Sequence, residues 1–166
     1  MDILLLSNDL LSCKNNKSAN FKEIDKKMDK TDFLTNDELR VSPRHIATLE
    51  AGEIFVFGSN AQGMHLGGAA RTAHMKFGAV WGNGEGLQGQ SYAIPTMEGE
   101  ESTKRAVERF VQFAQEHPEL KFLVTPIGCG IAGYTPEEIA PMFEAAVTLK
   151  NVYLPKIFWE VLMAEK

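Results

Sequence analysis

Two stretches of this chain have the residue types that hold anions without a charged side chain. The first is Gly58-Ser59-Asn60-Ala61-Gln62-Gly63-Met64-His65-Leu66-Gly67-Gly68-Ala69-Ala70, and the second is Gly128-Cys129-Gly130-Ile131-Ala132-Gly133-Tyr134. Each follows a short apolar run and precedes a helical pattern, the position at which open α/β sheets bind ligands. Glycines let main-chain N–H groups come close to phosphate oxygens, and a helix N-terminus adds partial positive charge. No GxxxxGK[ST] occurs, so a P-loop ATPase is not supported, and a dinucleotide fingerprint is missing after the first strand of this region. Any phosphate contact would therefore run through the backbone. Glycines are also ordinary at strand ends, so ligand and purely structural roles both stay open for these loops.

The side chains within the loops carry the remaining chemistry. Asn60 either contacts a ligand or caps its own loop. His65 suits a general acid or base, because its unperturbed pKa lies near neutrality, or it is a surface histidine at a helix start. Cys129 sits between two glycines before a helix, where a thiol pKa can fall; the alternative is a small residue whose amide faces phosphate. Glu85, Gln88 and Gln90 lie in a glycine-rich segment that is either a lid or an ordinary mobile loop. His74 and His117 read as structural. No spacing of histidine, cysteine and carboxylate suggests a metal site, and no motif requires a cofactor.

The elements that must position these loops follow from periodicity. Ile54 to Phe57 reads as a buried strand, Met64 to Lys76 as a helix opened by Gly67-Gly68, and Gly78 to Gly89 as too flexible for regular structure. Ser91 to Pro95 is a strand. Glu101 to Glu116 is an amphipathic helix with Ala106, Phe110, Phe113 and Ala114 on one face, stopped by His117-Pro118. Phe122 to Thr125 is another buried strand. Thr135, Pro136 and Glu138 form a strong helix start, with Met142, Phe143 and Val147 as that helix's core stripe. Asn151 to Leu154 is a last strand and Ile157 to Met163 a closing helix. Upstream, Ile3 to Leu6 reads as a short strand, Phe21 to Leu39 as irregular or weakly helical, and His45 to Leu49 as one helical turn. The alternation of strands and helices indicates an α/β layered fold with a parallel or mixed sheet. The chain divides into an N-terminal strand plus irregular extension over 1–41 and a main domain over 42–166.

Composition narrows the function classes. The 166 residues carry 17 basic and 22 acidic side chains, a formal net charge of −5, which argues against broad nucleic-acid binding. A local contact through the lysine-rich stretch from Lys14 to Lys30 remains as an alternative to a solvated face. The two cysteines, Cys13 and Cys129, sit far apart in unlike contexts, which points to a reducing, cytoplasmic setting rather than a disulfide framework. No apolar run approaches the ~20 residues of a membrane span, and MDILLLSNDLLS lacks the features of a signal peptide.

Taken in order, Gly58-Ser59-Asn60, Gly67-Gly68-Ala69-Ala70, Tyr92-Ala93-Ile94-Pro95 and the run from Pro126 to Tyr134 resemble the macro-domain superfamily. Glu53 to Phe143 is similar to a macro-like family of small phage and bacterial proteins, and the resemblance extends over roughly 42–160. It implies a three-layer α/β/α sandwich with a mixed central sheet, and a site for ADP-ribose or a related phosphorylated nucleotide derived from NAD. Asn60 would contact the distal ribose. Gly67, Gly68 and Ala69 would surround the diphosphate and distal ribose, Gly128, Cys129, Gly130, Ile131, Ala132 and Gly133 would clasp the diphosphate, Tyr134 would pack on the ribose, and Gly58 and Ser59 would belong to the same ligand site. Hydrolysis of an ADP-ribosyl linkage would use Asn60 and His65. Two departures stand out. Leu66-Gly67-Gly68-Ala69-Ala70 lacks the polar residue that many hydrolytic members have beside the glycines. The early aspartate that reads adenine has no secure match, with Asn8 or Asp9 in the nearest place. The rival reading is an accessory protein-interaction module of phage or bacterial type with no nucleotide ligand, and no particular protein partner is indicated.

Overall fold

The computed structural model describes residues 39–164. The expected strand at Ile3 to Leu6, nearly all of the stretch from Phe21 to Leu39, and the lysine-rich run from Lys14 to Lys30 lie outside the described residues.

The chain runs β1 (Glu53–Ser59), α1 (Gly68–Lys76), β2 (Gly86–Gln88), β3 (Ser91–Pro95), α2 (Glu100–Glu116), β4 (Lys121–Val124), α3 (Pro136–Ile139), a 3-10 segment (Ala140–Thr148), β5 (Val152–Tyr153) and α4 (Lys156–Ala164). Five strands form one mixed sheet in the order β2-β3-β1-β4-β5. β1 lies parallel to both β3 and β4, β4 parallel to β5, and only β2 runs antiparallel, against β3. The protein has an α/β fold with helices on both faces of the sheet.

The strand sequences explain why both faces are covered. β1 is apolar at consecutive positions instead of alternating, the pattern of a strand buried on both sides. Ile54 and Val56 point into one core with Phe110, Phe122, Phe143 and Phe158, beneath α2, the 3-10 segment and α4. Phe55 and Phe57 point into a second core with Ala70, Ala73 and Phe77 of α1 and its exit. The first core is the larger. Phe110 stacks edge-on against Tyr92 at 5.1 Å and Phe122 at 5.4 Å, and its truncation to alanine would cost about 3–5 kcal/mol. Ala106, Phe110 and Ala114 are buried on α2 as its spacing predicts, while Phe113 lies partly buried at the edge of the same core.

Three local expectations change. His45 to Leu49 adopts no helix; Ile46 and Leu49 instead pack onto the Phe55–Phe57 core, and tertiary burial prevails over a short local pattern. The segment from Gly78 to Gly89 does contain regular structure, because Gly86–Gln88 pairs with β3. The helix opened by Thr135 is α-helical for only four residues and continues as 3-10. Pro141 is the reason: it has no N–H to bond back four residues, and its ring crowds the carbonyl there. The helix start itself is as expected, with the Glu138 carboxylate accepting the Thr135 N–H at 2.7 Å. Residues 39–41 already belong to the sheet region, since Val41 bridges Leu154 in parallel and Leu154 donates to the Arg40 carbonyl at 3.0 Å.

Candidate functional site

The chain leaves β1, turns to β3 on one side and later returns to β4 on the other, so the three central strands are parallel and end on one edge. A cleft of about 350 Å³ opens there, lined by residues from all three strand ends and from both glycine-rich loops. Gly58 and Ser59 end β1 and Asn60 follows it, Thr96 and Met97 follow β3, and Thr125 to Ile127 follow β4. The first loop adds Gly67, Gly68 and Ala69, and the second adds Gly128, Gly130, Ile131 and Ala132. The loops face each other closely enough that a Cβ on Gly67 would sit 3.8 Å from Ile131 Cδ1.

Helix α1 begins at Gly68 with extended Gly67 as its N-cap, no side-chain cap and no acid in its first turn. Its first internal bond is Arg71 N–H to the Gly67 carbonyl at 3.2 Å, so the amides of Gly68, Ala69 and Ala70 have no intrahelical acceptor. Across the cleft, the amides of Gly130, Ile131 and Ala132 donate to no acceptor among the described residues, whereas Gly133 and Tyr134 donate to the Gly130 and Gly128 carbonyls at 3.0 and 2.9 Å. Gly128 holds that turn at a φ of +76°, where a Cβ would press within 3.0 Å of Ile139. A side chain there would meet both backbone strain and a packed core.

The hydroxyls on the floor have already given away their protons. Thr125 Oγ1 donates to the Val56 carbonyl at 2.8 Å, Thr96 Oγ1 to the Ser59 carbonyl at 3.4 Å, and Ser59 Oγ to the Gly84 carbonyl. Toward the cleft these oxygens can only accept. Among the described residues, no Asp, Glu, His, Lys, Arg, Cys or Tyr lines the cleft. The arrangement therefore offers N–H donors to an anion and oxygen acceptors to a hydroxyl-bearing group, with no side chain able to take up or release a proton near neutral pH.

The structure sorts the sequence-based candidates. Gly58, Ser59, Asn60, Gly67, Gly68, Ala69, Gly128, Gly130, Ile131 and Ala132 share the cleft. Asn60 caps its own loop: its Nδ2 donates to the Met64 carbonyl and its Oδ1 accepts the Met64 N–H, both at 3.0 Å. His65, Cys129, Gly133 and Tyr134 do not line the cleft. His65 is not a surface residue; it is 2% exposed, edge-on to Phe57 at 5.3 Å, with Nε2 bonded to the Val80 carbonyl at 3.0 Å. Burial, with Glu137 and Glu138 of the next helix adding to it, pushes the Cys129 thiol pKa up, the reverse of what a nucleophile requires. Tyr134 packs back on the larger core.

The segment after α1 is a buttress for the first loop, and no residue from 78 to 90 lines the cleft. Gly84 lies so close to Asn60 and Ala61 that a Cβ would overlap their carbonyls. Gly82 N–H bonds to the Gly63 carbonyl at 3.0 Å. Gln88 is buried and ties the segment together, accepting the Val80 N–H at 2.6 Å and donating to the Asn83 carbonyl at 3.2 Å. Glu85 pairs with Arg109 of α2 through both carboxylate oxygens, and Gln90 donates to the Glu50 carbonyl at 3.0 Å. All three polar side chains expected in a lid are committed to holding this segment in place.

Sequence reasoning missed Met64, Leu66, Ala70, Thr96, Met97, Thr125, Pro126 and Ile127. The signal for Thr96 and Thr125 was present, as each follows a strand read correctly from its apolar run. What was lacking was the strand order that sets those two ends beside Gly58. Among the described residues no group of three histidines, cysteines or carboxylates is placed to hold a metal, and no helix is long and apolar enough to cross a membrane. Comparison with protein-family models, with curated proteins and with solved structures finds no match to this chain. The resemblance to macro domains rests on the motifs themselves.

Proposed function

We propose that this protein binds ADP-ribose or a related phosphorylated nucleotide derived from NAD in the cleft at the carboxyl ends of β1, β3 and β4. The observation that carries the reading is that residues whose main-chain N–H groups have no acceptor among the described residues, at the start of α1 and in the second glycine loop, line one cleft. Such donors suit a diphosphate, because helix and loop amides supply partial positive charge without a cation. The accepting oxygens of Thr96 and Thr125 suit ribose hydroxyls. The reading is that of a binder. A hydrolase would need a proton acceptor beside the scissile bond, and among the described residues the lining supplies no titratable side chain, so turnover by these residues would depend on the substrate's own phosphate.

Gly67→Asp tests the site. The backbone at Gly67 is extended and its Cβ position is clear of close neighbours, so the substitution is tolerated and supplies the missing N-cap. Thermal stability is expected to hold or rise slightly. The carboxylate would occupy the helix amides and repel an anion, so ADP-ribose affinity measured by calorimetry is expected to fall at least about tenfold, on the order of 1.4 kcal/mol. Wild-type affinity in a folded Gly67→Asp variant would refute the assignment. No heat from the wild-type protein with ADP-ribose, NAD or cyclic ADP-ribose would instead favour an accessory protein-interaction role.

A further inference from the structure

The charge around the cleft carries a statement about which phosphates it accepts. Among the described residues no lysine or arginine lines it, so from these residues a bound anion meets only the partial charges of amides. Beside it stands a full negative charge. Glu98 accepts the Ala61 N–H through Oε1 at 2.7 Å and the Met97 N–H through Oε2 at 3.2 Å. These two bonds fix the carboxylate between the end of β3 and the first loop, next to the lining residues Asn60 and Met97. The cleft's outer lining is apolar: Leu66, Met97 and Ile131 are 70%, 50% and 84% exposed, yet all three line it.

We propose that the cleft selects phosphates substituted on both sides, as in an internal diphosphate or a diester, against terminal phosphates, and that Glu98 is a specificity-determining residue. The inference rests on the anion-binding reading above and names its ligand class. A terminal phosphate carries nearly two charges at neutral pH. Placed here, it gains no cation from the described lining, lies near the negative charge that Glu98 holds beside Asn60 and Met97, and loses water against Leu66 and Ile131, and each of these disfavours the second charge. A phosphate with a substituent on each side carries one charge, and its outer substituent gives the apolar residues something to cover.

ADP and its β-methyl ester isolate the effect, since they differ by one methyl group and one negative charge. By competition calorimetry, the ester is expected to bind the wild-type protein on the order of threefold to tenfold more tightly than ADP. Glu98→Gln is expected to narrow that gap by improving ADP about threefold, while Glu98→Asp, which keeps the charge, preserves it. Equal or tighter binding of ADP by the wild-type protein overturns the selectivity and leaves the anion site standing. An unchanged gap in a folded Glu98→Gln variant removes Glu98 from the explanation. If ADP, the ester and ADP-ribose all fail to bind, the anion site and its selectivity fall together.

Discussion

At the scale of single residues, glycine acts here in two different ways. In the second loop and at the start of α1 it leaves main-chain amides open to the cleft. In the segment after α1 it lets one main chain lie directly against another, as Gly84 does against Asn60 and Ala61. Gly84 is outside the cleft lining, yet it sets the position of the first loop. Gly84→Ala is therefore expected to destabilise the protein by about 2 kcal/mol or more, because neither carbonyl can move without disturbing β1. Urea unfolding checks this, and a midpoint equal to wild type would show that the loop shifts freely. His65 illustrates the limit of reading a residue by its type. Its position beside the glycines suggested proton transfer, but its ring is buried against Phe57, and its Nδ1 has no partner among the described residues.

At the scale of elements, the face of the sheet beneath α2 depends on Tyr92 of β3. Its ring packs against Phe110 and Phe113, and burial first, then the neighbouring Glu85 carboxylate, pushes its pKa up to about 12, with Arg109 opposing. The folded value lies above the ordinary 10.0, so the neutral phenol is the form the fold favours. Its contribution is fully present below pH 10 and is lost as pH rises through about 12. The loss amounts to roughly 2–3 kcal/mol. Tyr92→Phe should therefore show a shallower fall in stability across that alkaline window than wild type, measured by denaturant unfolding at each pH. Parallel curves would mean that the phenol ionises without cost. The short α3 and its 3-10 continuation belong to the same scale. Thr135, Pro136 and Glu138 made the start legible, but the register after Pro141 followed from a missing N–H.

For the whole molecule, a net charge of −5 and a cleft with no lysine or arginine among its described lining residues give a definite expectation about salt. A site built on lysine or arginine loses affinity as salt screens its attraction. Here long-range repulsion between protein and anionic ligand is what salt would screen. ADP-ribose affinity should therefore stay flat or rise slightly as ionic strength passes through about 0.1 M, where the screening length is ~10 Å. A steep fall in affinity would point to a basic group at the ligand. Ligand binding should also raise the unfolding temperature in proportion to the logarithm of ligand concentration.

Much of this was written along the chain. Consecutive apolar residues in β1 and β4 required a sheet covered on both faces, helical spacing placed Ala106, Phe110 and Ala114 in a core, and glycines after two strands marked both cleft-forming loops. These are local patterns, and burial acts on them residue by residue. Strand order is different, because it depends on which distant segments pack together. Only that order set Thr96 and Thr125 beside Gly58, turned His65, Cys129 and Tyr134 away from the opening, and made the Gly78 to Gly89 segment a support instead of a cover.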